Sequence, residues 1–309
     1  MPLFLQISQY VGFFSTEVTN TVLLWLIITK SSRSFGSYKY IMMSYAVFSI
    51  VYAVVEIMTR PVMHLHGACM FIYVDSFLKF EKPIALFLVG LYCATFGMCV
   101  NLLATHFVYR FFAICRPQDM HHFQGVNLLK VYLIPVVSSI GWYYNVTVLM
   151  GPSDVKSEYM RESINETYGE DTFKVGYIAA LYYQSCFLTM IICGWKTYRK
   201  MESVGGTMSK KTKELNNQLF RALVIQTLIP LCIMFAPVGS LIILPMFSIG
   251  VGKLANAPGF YAGFYPALDA LIAIFMIRDF RRTVLCKKPR KKSLSSVAPD
   301  GNYSSYQSG

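Results

Sequence analysis

The stretch Ile84-Ala-Leu-Phe-Leu-Val-Gly-Leu-Tyr-Cys-Ala-Thr-Phe-Gly-Met-Cys-Val-Asn-Leu-Leu-Ala-Thr-His-Phe-Val-Tyr109 contains no Asp, Glu, Lys or Arg. An α-helix needs about 20 apolar residues to cross the hydrocarbon of a bilayer. Only a helix or a closed barrel satisfies its backbone hydrogen bonds there. This run is therefore read as a membrane span. Working outward, Val131–Met150 and Val175–Trp195 are also free of charge, Ile7–Thr29 carries only Glu17, and Ile41–Thr59 carries only Glu56. Ala222–Gly252 is uncharged and long enough for a tilted span plus part of a loop, with bends expected at Pro230 and Pro237; Gly259–Ile277 contains Asp269.

The sequence thus predicts an all-α integral membrane protein, a bundle of seven transmembrane helices at about 7–29, 41–59, 84–109, 131–150, 175–195, 222–246 and 259–277. Residues 1–286 form one domain, and the basic, Ser-rich tail 287–309 is too polar to fold. Composition agrees. Of the 309 residues 55% are hydrophobic and 14% charged, with a mean hydropathy of +0.46, against roughly 25% charged in soluble domains. No Lys or Arg precedes the first apolar run, so that span is expected to serve as the targeting signal.

Net charge is +12, but the positive residues sit in short segments between spans. That pattern excludes a nucleic-acid partner, which needs a basic patch on a soluble fold. All but seven of the 28 Lys and Arg residues fall in one alternate set of segments, dominated by Lys196–Arg221 and Arg278–Lys292. Positive residues are retained in the cytoplasm, which predicts the N-terminus outside and the C-terminus inside. The acidic segment between spans four and five is then an outer loop, and Asn165-Glu-Thr167 within it a usable glycosylation acceptor. The Asn145 and Asn302 sequons fall in a span and in the inner tail and are expected to stay silent.

The end of span three, His106-Phe-Val-Tyr-Arg-Phe-Phe-Ala-Ile-Cys-Arg-Pro117, places Tyr109-Arg110 where the helix meets the cytoplasm. Arg110 is read either as an arginine anchoring a helix end or as a switch that changes partners. That stretch, with Gly36-Ser-Tyr-Lys-Tyr-Ile-Met-Met-Ser-Tyr45 and Tyr265-Pro-Ala-Leu-Asp-Ala-Leu-Ile272, resembles the nematode seven-transmembrane chemoreceptors of serpentine receptor class r, the Str family, over nearly the whole chain. The resemblance implies a G-protein-coupled receptor in the ciliary plasma membrane of chemosensory neurons. It implies as partners a small, often volatile odorant and a heterotrimeric G protein, with smell as the sense served. It also implies switch residues: Tyr109 and Arg110 in span three, Pro266 and Asp269 in span seven. The acidic residue that precedes the arginine in rhodopsin-like receptors is absent here, and the loop between spans four and five has no cysteine for the usual disulfide, so Cys69 in the first outer loop has no obvious mate.

Carboxylates inside a membrane are costly, so Glu17, Glu56 and Asp269 are functional candidates expected to face the bundle interior. Helical spacing puts them on polar stripes: Glu17 with Asn20 and Thr21, Glu56 with Tyr45, Ser49 and Tyr52, Asp269 with Tyr261 and Tyr265. Asn101, Thr105 and Tyr109 form another stripe low on span three. Such stripes serve either as hydrogen-bond glue between helices or as contacts to a ligand or ion. For ligand binding in the outer half the candidates are Tyr92, Phe96, Tyr182, Tyr183, Gln184 and Tyr261, aromatic and polar side chains of the kind that line small-molecule sites.

The basic inner segments suit either a G protein or anionic lipid headgroups. Arg278–Cys286 reads as an amphipathic helix on the inner leaflet with Cys286 a palmitoylation candidate, and Ser293, Ser295 and Ser296 follow a basic cluster where phosphorylation would cancel charge. No metal-ligand spacing, cofactor motif or catalytic constellation appears, so an enzyme is not expected. A ligand-gated channel or small transporter lined by the intramembrane acids is the alternative reading, and pairing with a second receptor is left open.

Overall fold

A computed structural model describes residues 3–31, 35–67, 69–179, 210–232 and 251–286, with Ile192, Trp195, Lys196, Arg199, Ala236, Pro237 and Ser240. Span five and the second half of span six lie largely outside these residues, as do Tyr182, Tyr183, Gln184 and the tail 287–309. The long helices are α1 (Leu3–Lys30), α2 (Tyr38–Thr59) and α3 (Lys82–Cys115). Among the described residues these three are by themselves long and apolar enough to span a membrane. Two bent pairs reach that length together: Pro117–Phe123 with Asn127–Leu149, and Leu254–Ala262 with Tyr265–Met276.

α4 (Asn127–Tyr144) carries Pro135 within it and passes into a π turn at Asn145–Leu149. α5 covers Asp154–Tyr168 and α6 Lys210–Pro230; α7 (Ala257–Ala262), α8 (Tyr265–Met276) and α9 (Arg278–Val284) complete the helices named here. α1 packs between α2 and α8, α2 packs on α3, α3 on α4, and α6 on α8.

Local chemistry sets several boundaries. α2 stops at Arg60, whose left-handed backbone (φ 47°) returns its N–H to Glu56 O at 2.7 Å, and Pro61 then cannot continue the helix. α3 starts with a proline in its first turn, where the missing N–H costs nothing. α1 and the α7–α8 break approach closely because Gly12 lacks a side chain: a Cβ there would lie 2.6 Å from the Gly263 carbonyl carbon.

The structure extends two spans beyond their expected inner ends. α3 continues past Tyr109–Arg110 to Cys115, so the pair sits more than a turn inside the helix. α6 begins at Lys210, within the segment read as an inner loop. Charged residues are excluded from hydrocarbon but remain good helix formers, so a helix can outlast the membrane. Thr21 is exposed while Asn20 is buried, which removes Thr21 from the interior stripe of α1.

The larger departure from the sequence reading is at the opposite end. The loops there build a three-stranded antiparallel sheet, β1 (Pro61–His66), β2 (Cys69–Val74) and β3 (Tyr177–Ala179), in the order β1-β2-β3. Gly67 at φ +51° opens the two-residue hairpin turn. Side chains alternate across this sheet. Met63, Leu65, Met70, Ile72 and Val74 join Tyr52, Val89 and Tyr92 of the bundle core. Val62, Phe71, Tyr73 and Tyr177 pack under Met160 and Ile164 of α5. The acidic segment read as a loop is thus an amphipathic helix, capped by the Ser153 side chain, which accepts from Lys156 N, and closed by Gly169 at φ 70°. Its buried positions Ser157, Met160 and Ile164 share one face. The segment 251–256 is drawn in as well: Gly252 N donates to Leu65 O at 3.0 Å, and Met63 N donates to Asn256 Oδ1 at 2.8 Å.

Candidate functional site

At the end away from the sheet, Arg110 of α3 is 3% exposed. Its guanidinium carbon lies 3.8 Å from the centroid of the Tyr38 ring on α2, and Nη1 donates to Asn216 Oδ1 on α6 at 3.3 Å. Nε and Nη2 are buried without a hydrogen-bond partner. Arg110 therefore links three helices through one ring face and one neutral amide, with donors to spare. Tyr38 is itself fixed: its hydroxyl hydrogen-bonds His106 Nδ1 at 3.0 Å, and its ring leans on Tyr109, which meets Phe123 edge-on.

One layer deeper, Asp269 of α8 is 2% exposed. Gln226 of α6 donates through Nε2 to both Asp269 Oδ2 and Asp269 O, each at 3.0 Å. Oδ1 has no hydrogen-bond partner. The Tyr45 and Tyr265 hydroxyls join α2 to α8 at 2.5 Å. Between these groups lies a cavity of about 20 Å³ lined by Tyr38, Tyr45, His106, Gln226 and Asp269 among others, room for about one water. Pro266 lies in the first turn of α8, just past the 40° bend that separates α7 from α8, and its carbonyl accepts from Asn20 of α1 at 3.2 Å.

The half beneath the sheet holds the other candidates. Tyr92 is buried and stacks on Tyr52 with centroids 5.9 Å apart. Phe96 is half-buried and packs against Ala262 and Tyr265. Glu56 is buried at the same level, and Glu17 is half-buried on α1. Tyr261 does not join them. It is 47% exposed, because the break at Gly263–Phe264 turns α7 away from the face that carries Tyr265 and Asp269. Asn165 is exposed in the last turn of α5, and Cys286 is exposed after α9. Cys69, at the start of β2, is a free thiol whose pKa is pushed up by burial, against a smaller opposing effect of Lys156.

This arrangement is a set of polar contacts buried among the helices and ending in an arginine near the basic end. The model of the Serpentine type 7TM GPCR chemoreceptor Str family matches residues 5–186 and 184–285. The chain belongs to that family. It is 36% identical over 309 residues to serpentine receptor class r-10 of Caenorhabditis briggsae, covering 90% of this chain and 88% of the relative. Against serpentine receptor class r-10 of Caenorhabditis elegans identity is 33%, with 96% and 95% covered. Serpentine receptor class J-38 of the same organism is 26% identical, with 86% and 88% covered. As a Str-family receptor the protein is a multi-pass membrane protein built on seven transmembrane helices.

Several residues of the site escaped the sequence reading. Tyr38 stands two turns before Tyr45 on the same face of α2, and His106 one turn before Arg110 on α3, so helical spacing alone carried that signal. Asn216 and Gln226 carried none, since a lone amide in a basic helix or in an apolar run does not announce its partner.

Proposed function

We propose that this chain is an olfactory receptor. A small, volatile molecule binds in the half beneath the sheet, and the opposite end activates a heterotrimeric G protein. The observation that carries this reading is Arg110: a buried guanidinium held on α3 by Tyr38 of α2 and Asn216 of α6, with two nitrogens unpartnered. A bound ligand favours whichever helix arrangement it contacts better. Ligand contacts beneath the sheet bear on the α7–α8 break, and α8 passes the change to α6 through Asp269 and Gln226. Displacing α6 parts Asn216 from Arg110 and opens a cleft between α3 and α6 for the G protein. Asp269, Pro266 and Tyr109 serve as relay, bend and packing support for Arg110.

The sheet then lies outside the cell and the basic helices inside, in the ciliary plasma membrane, with Asn165 glycosylated, Cys286 acylated at the inner leaflet and the basic segments also touching anionic lipid. Epitope tags at Met1 and Gly309 test the orientation: the first should stain intact cells and the second only permeabilised ones. Arg110→Ala tests the mechanism. At equal surface level it should lose ligand-stimulated G-protein turnover by about tenfold or more, the loss of roughly 1.4 kcal/mol of coupling. Undiminished turnover would remove Arg110 from the switch.

A further inference from the structure

We propose that one bound water bridges His106 Nε2 on α3 to Asp269 Oδ1 on α8, which makes His106 a positioning residue for Arg110. The proposal rests on the receptor reading above and adds a link to its relay. His106 stands one turn before Arg110 and is buried, as is Asp269. Both line the cavity of about 20 Å³ at the basic end, together with Tyr38 and Tyr45 of α2 and Gln226 of α6. That volume holds one water.

Two polar atoms of these wall residues, His106 Nε2 and Asp269 Oδ1, are buried without a protein hydrogen-bond partner. Their neighbours are engaged elsewhere. The Tyr38 hydroxyl bonds His106 Nδ1 at 3.0 Å, and Gln226 Nε2 donates to Asp269 Oδ2 at 3.0 Å. The Tyr45 hydroxyl stands beside the Asp269 carboxylate but is bonded to Tyr265 at 2.5 Å. A phenol is the better donor and a neutral imidazole the better acceptor, so Nδ1 accepts from Tyr38 and the ring proton sits on Nε2. An N–H on α3 and a carboxylate oxygen on α8 then border one cavity and need an intermediary that both accepts and donates. Water does both. Leaving either atom unpaired costs about 1–3 kcal/mol, and a water bonded to both removes that cost, with the Tyr45 oxygen as a third partner. A metal ion suits the place less, because the imidazole presents an N–H and the other walls, Met42, Ala222 and Ala273 among them, are apolar.

The bridge completes a second route across the basic half. Asp269 reaches α6 through Gln226, and through the water it also reaches His106. The imidazole is held edge-on between the Tyr38 and Tyr45 rings, with centroids 5.4 and 5.3 Å away, so its Nε2 has a fixed aim. Its Nδ1 holds the Tyr38 hydroxyl, and the Tyr38 ring carries the Arg110 guanidinium at 3.8 Å. Movement of α8 is thereby felt at Arg110 without passing through α6.

The water is tested on the full-length receptor in lipid nanodiscs without G protein. A short X-ray pulse turns bound water into hydroxyl radicals, which oxidise an adjacent methionine to its sulfoxide. Met42 lines the cavity, whereas Met160, also buried, lies between the sheet and α5. Met42 should be oxidised several times faster than Met160, and Ala273→Val, which fills the cavity, should abolish the difference. Equal rates in the natural chain, or a difference that survives Ala273→Val, would overturn the proposal. Ligand-independent G-protein turnover reads the positioning role. His106→Asn keeps an amide near the Nδ1 position and deletes Nε2, and should raise that turnover about fivefold, the equivalent of one hydrogen bond of about 1 kcal/mol. In an Asp269→Ala background, where the water has lost its other anchor, the same substitution should add less than about twofold. An equal fold-change in both backgrounds would mark His106 as packing alone and remove the link. Should either variant fail to reach the surface, the labelling of the natural chain decides. Labelling is read apart from signalling, so its failure leaves the receptor reading standing, while absence of all G-protein turnover would strike that reading instead.

Discussion

The two ends of the bundle hold their neighbours by different means. At the sheet end, β1, β2 and β3 are joined by a backbone ladder, extended by Gly252 N to Leu65 O and by Met63 N to Asn256 Oδ1. Backbone pairing has a fixed register, and slipping it by one residue would turn every side chain to the wrong face. At the basic end, α6 meets α3, α8 and α9 through individual polar side-chain contacts: Asn216 with Arg110, Gln226 with Asp269, Gln218 Oε1 with Arg278 N, and Glu214 with the Arg278 guanidinium. Each such bond contributes about 1 kcal/mol net, an amount that ligand binding can overcome. On the proposed receptor reading, the sheet end serves as the scaffold and the basic end as the switch.

That contrast predicts a separation of effects. Substitutions in the sheet layer should change stability and leave signalling per surface receptor intact. Substitutions at the basic end should do the reverse. The largest effect is expected from Phe71→Ala. Phe71 is fully buried between the sheet and α5, with its ring 4.2 Å from that of Tyr177, and deleting such a ring costs about 3–5 kcal/mol. Thermal unfolding in detergent should show the loss, and the ligand-stimulated response normalised to surface level should stay within about twofold. A normalised response that collapses would break the comparison.

A second test titrates the sheet layer. His64 on β1 is buried, its Nε2 hydrogen-bonds Ser163 Oγ at 2.8 Å, and its ring meets Tyr168 edge-on. Burial, and to a lesser degree His66, lowers its pKa from 6.5 to about 4. The folded state thus binds fewer protons than the unfolded state between those values. The stability this confers is fully present above pH 6.5 and is lost as pH falls towards 4. Unfolding midpoints measured across that window should fall with pH in the natural chain and fall less in His64→Phe. Parallel curves would show that His64 does not govern the acid sensitivity of this layer.

The same contrast explains what the sequence made legible. Long uncharged runs report a membrane solvent, so α1, α2 and α3 could be read directly, and buried carboxylates stood out because hydrocarbon makes them rare. The sheet layer was obscured. Met63, Leu65, Met70 and Ile72 alternate with Val62, Phe71 and Tyr73, but both faces are covered, one by the bundle and one by α5, so the strands lose the apolar–polar alternation that marks a half-exposed sheet. The Gly67 turn and the Ser153 cap were the available signals. Of the site, Arg110 and Asp269 were legible because charge is conspicuous, and the Str-family resemblance gave them roles. Their partners were not, because Asn216 and Gln226 become meaningful only when α6 is placed beside α3 and α8.

The smallest predicted effect tests the switch most directly. Asn216→Ala removes the amide that holds Arg110 Nη1 to α6 while leaving the Tyr38 stacking in place. If that bond contributes about 1 kcal/mol to the resting arrangement, its loss shifts the resting-to-active ratio by about fivefold. Ligand-independent G-protein turnover should rise by that factor at equal surface level, with little change in unfolding temperature. Tyr38→Phe is the companion: it keeps the ring under Arg110 and deletes the hydroxyl bonded to His106 Nδ1, so basal turnover should rise less than in Asn216→Ala. If Asn216→Ala instead lowers basal turnover, the bond belongs to the active arrangement, and the closed arginine seen here is the signalling state.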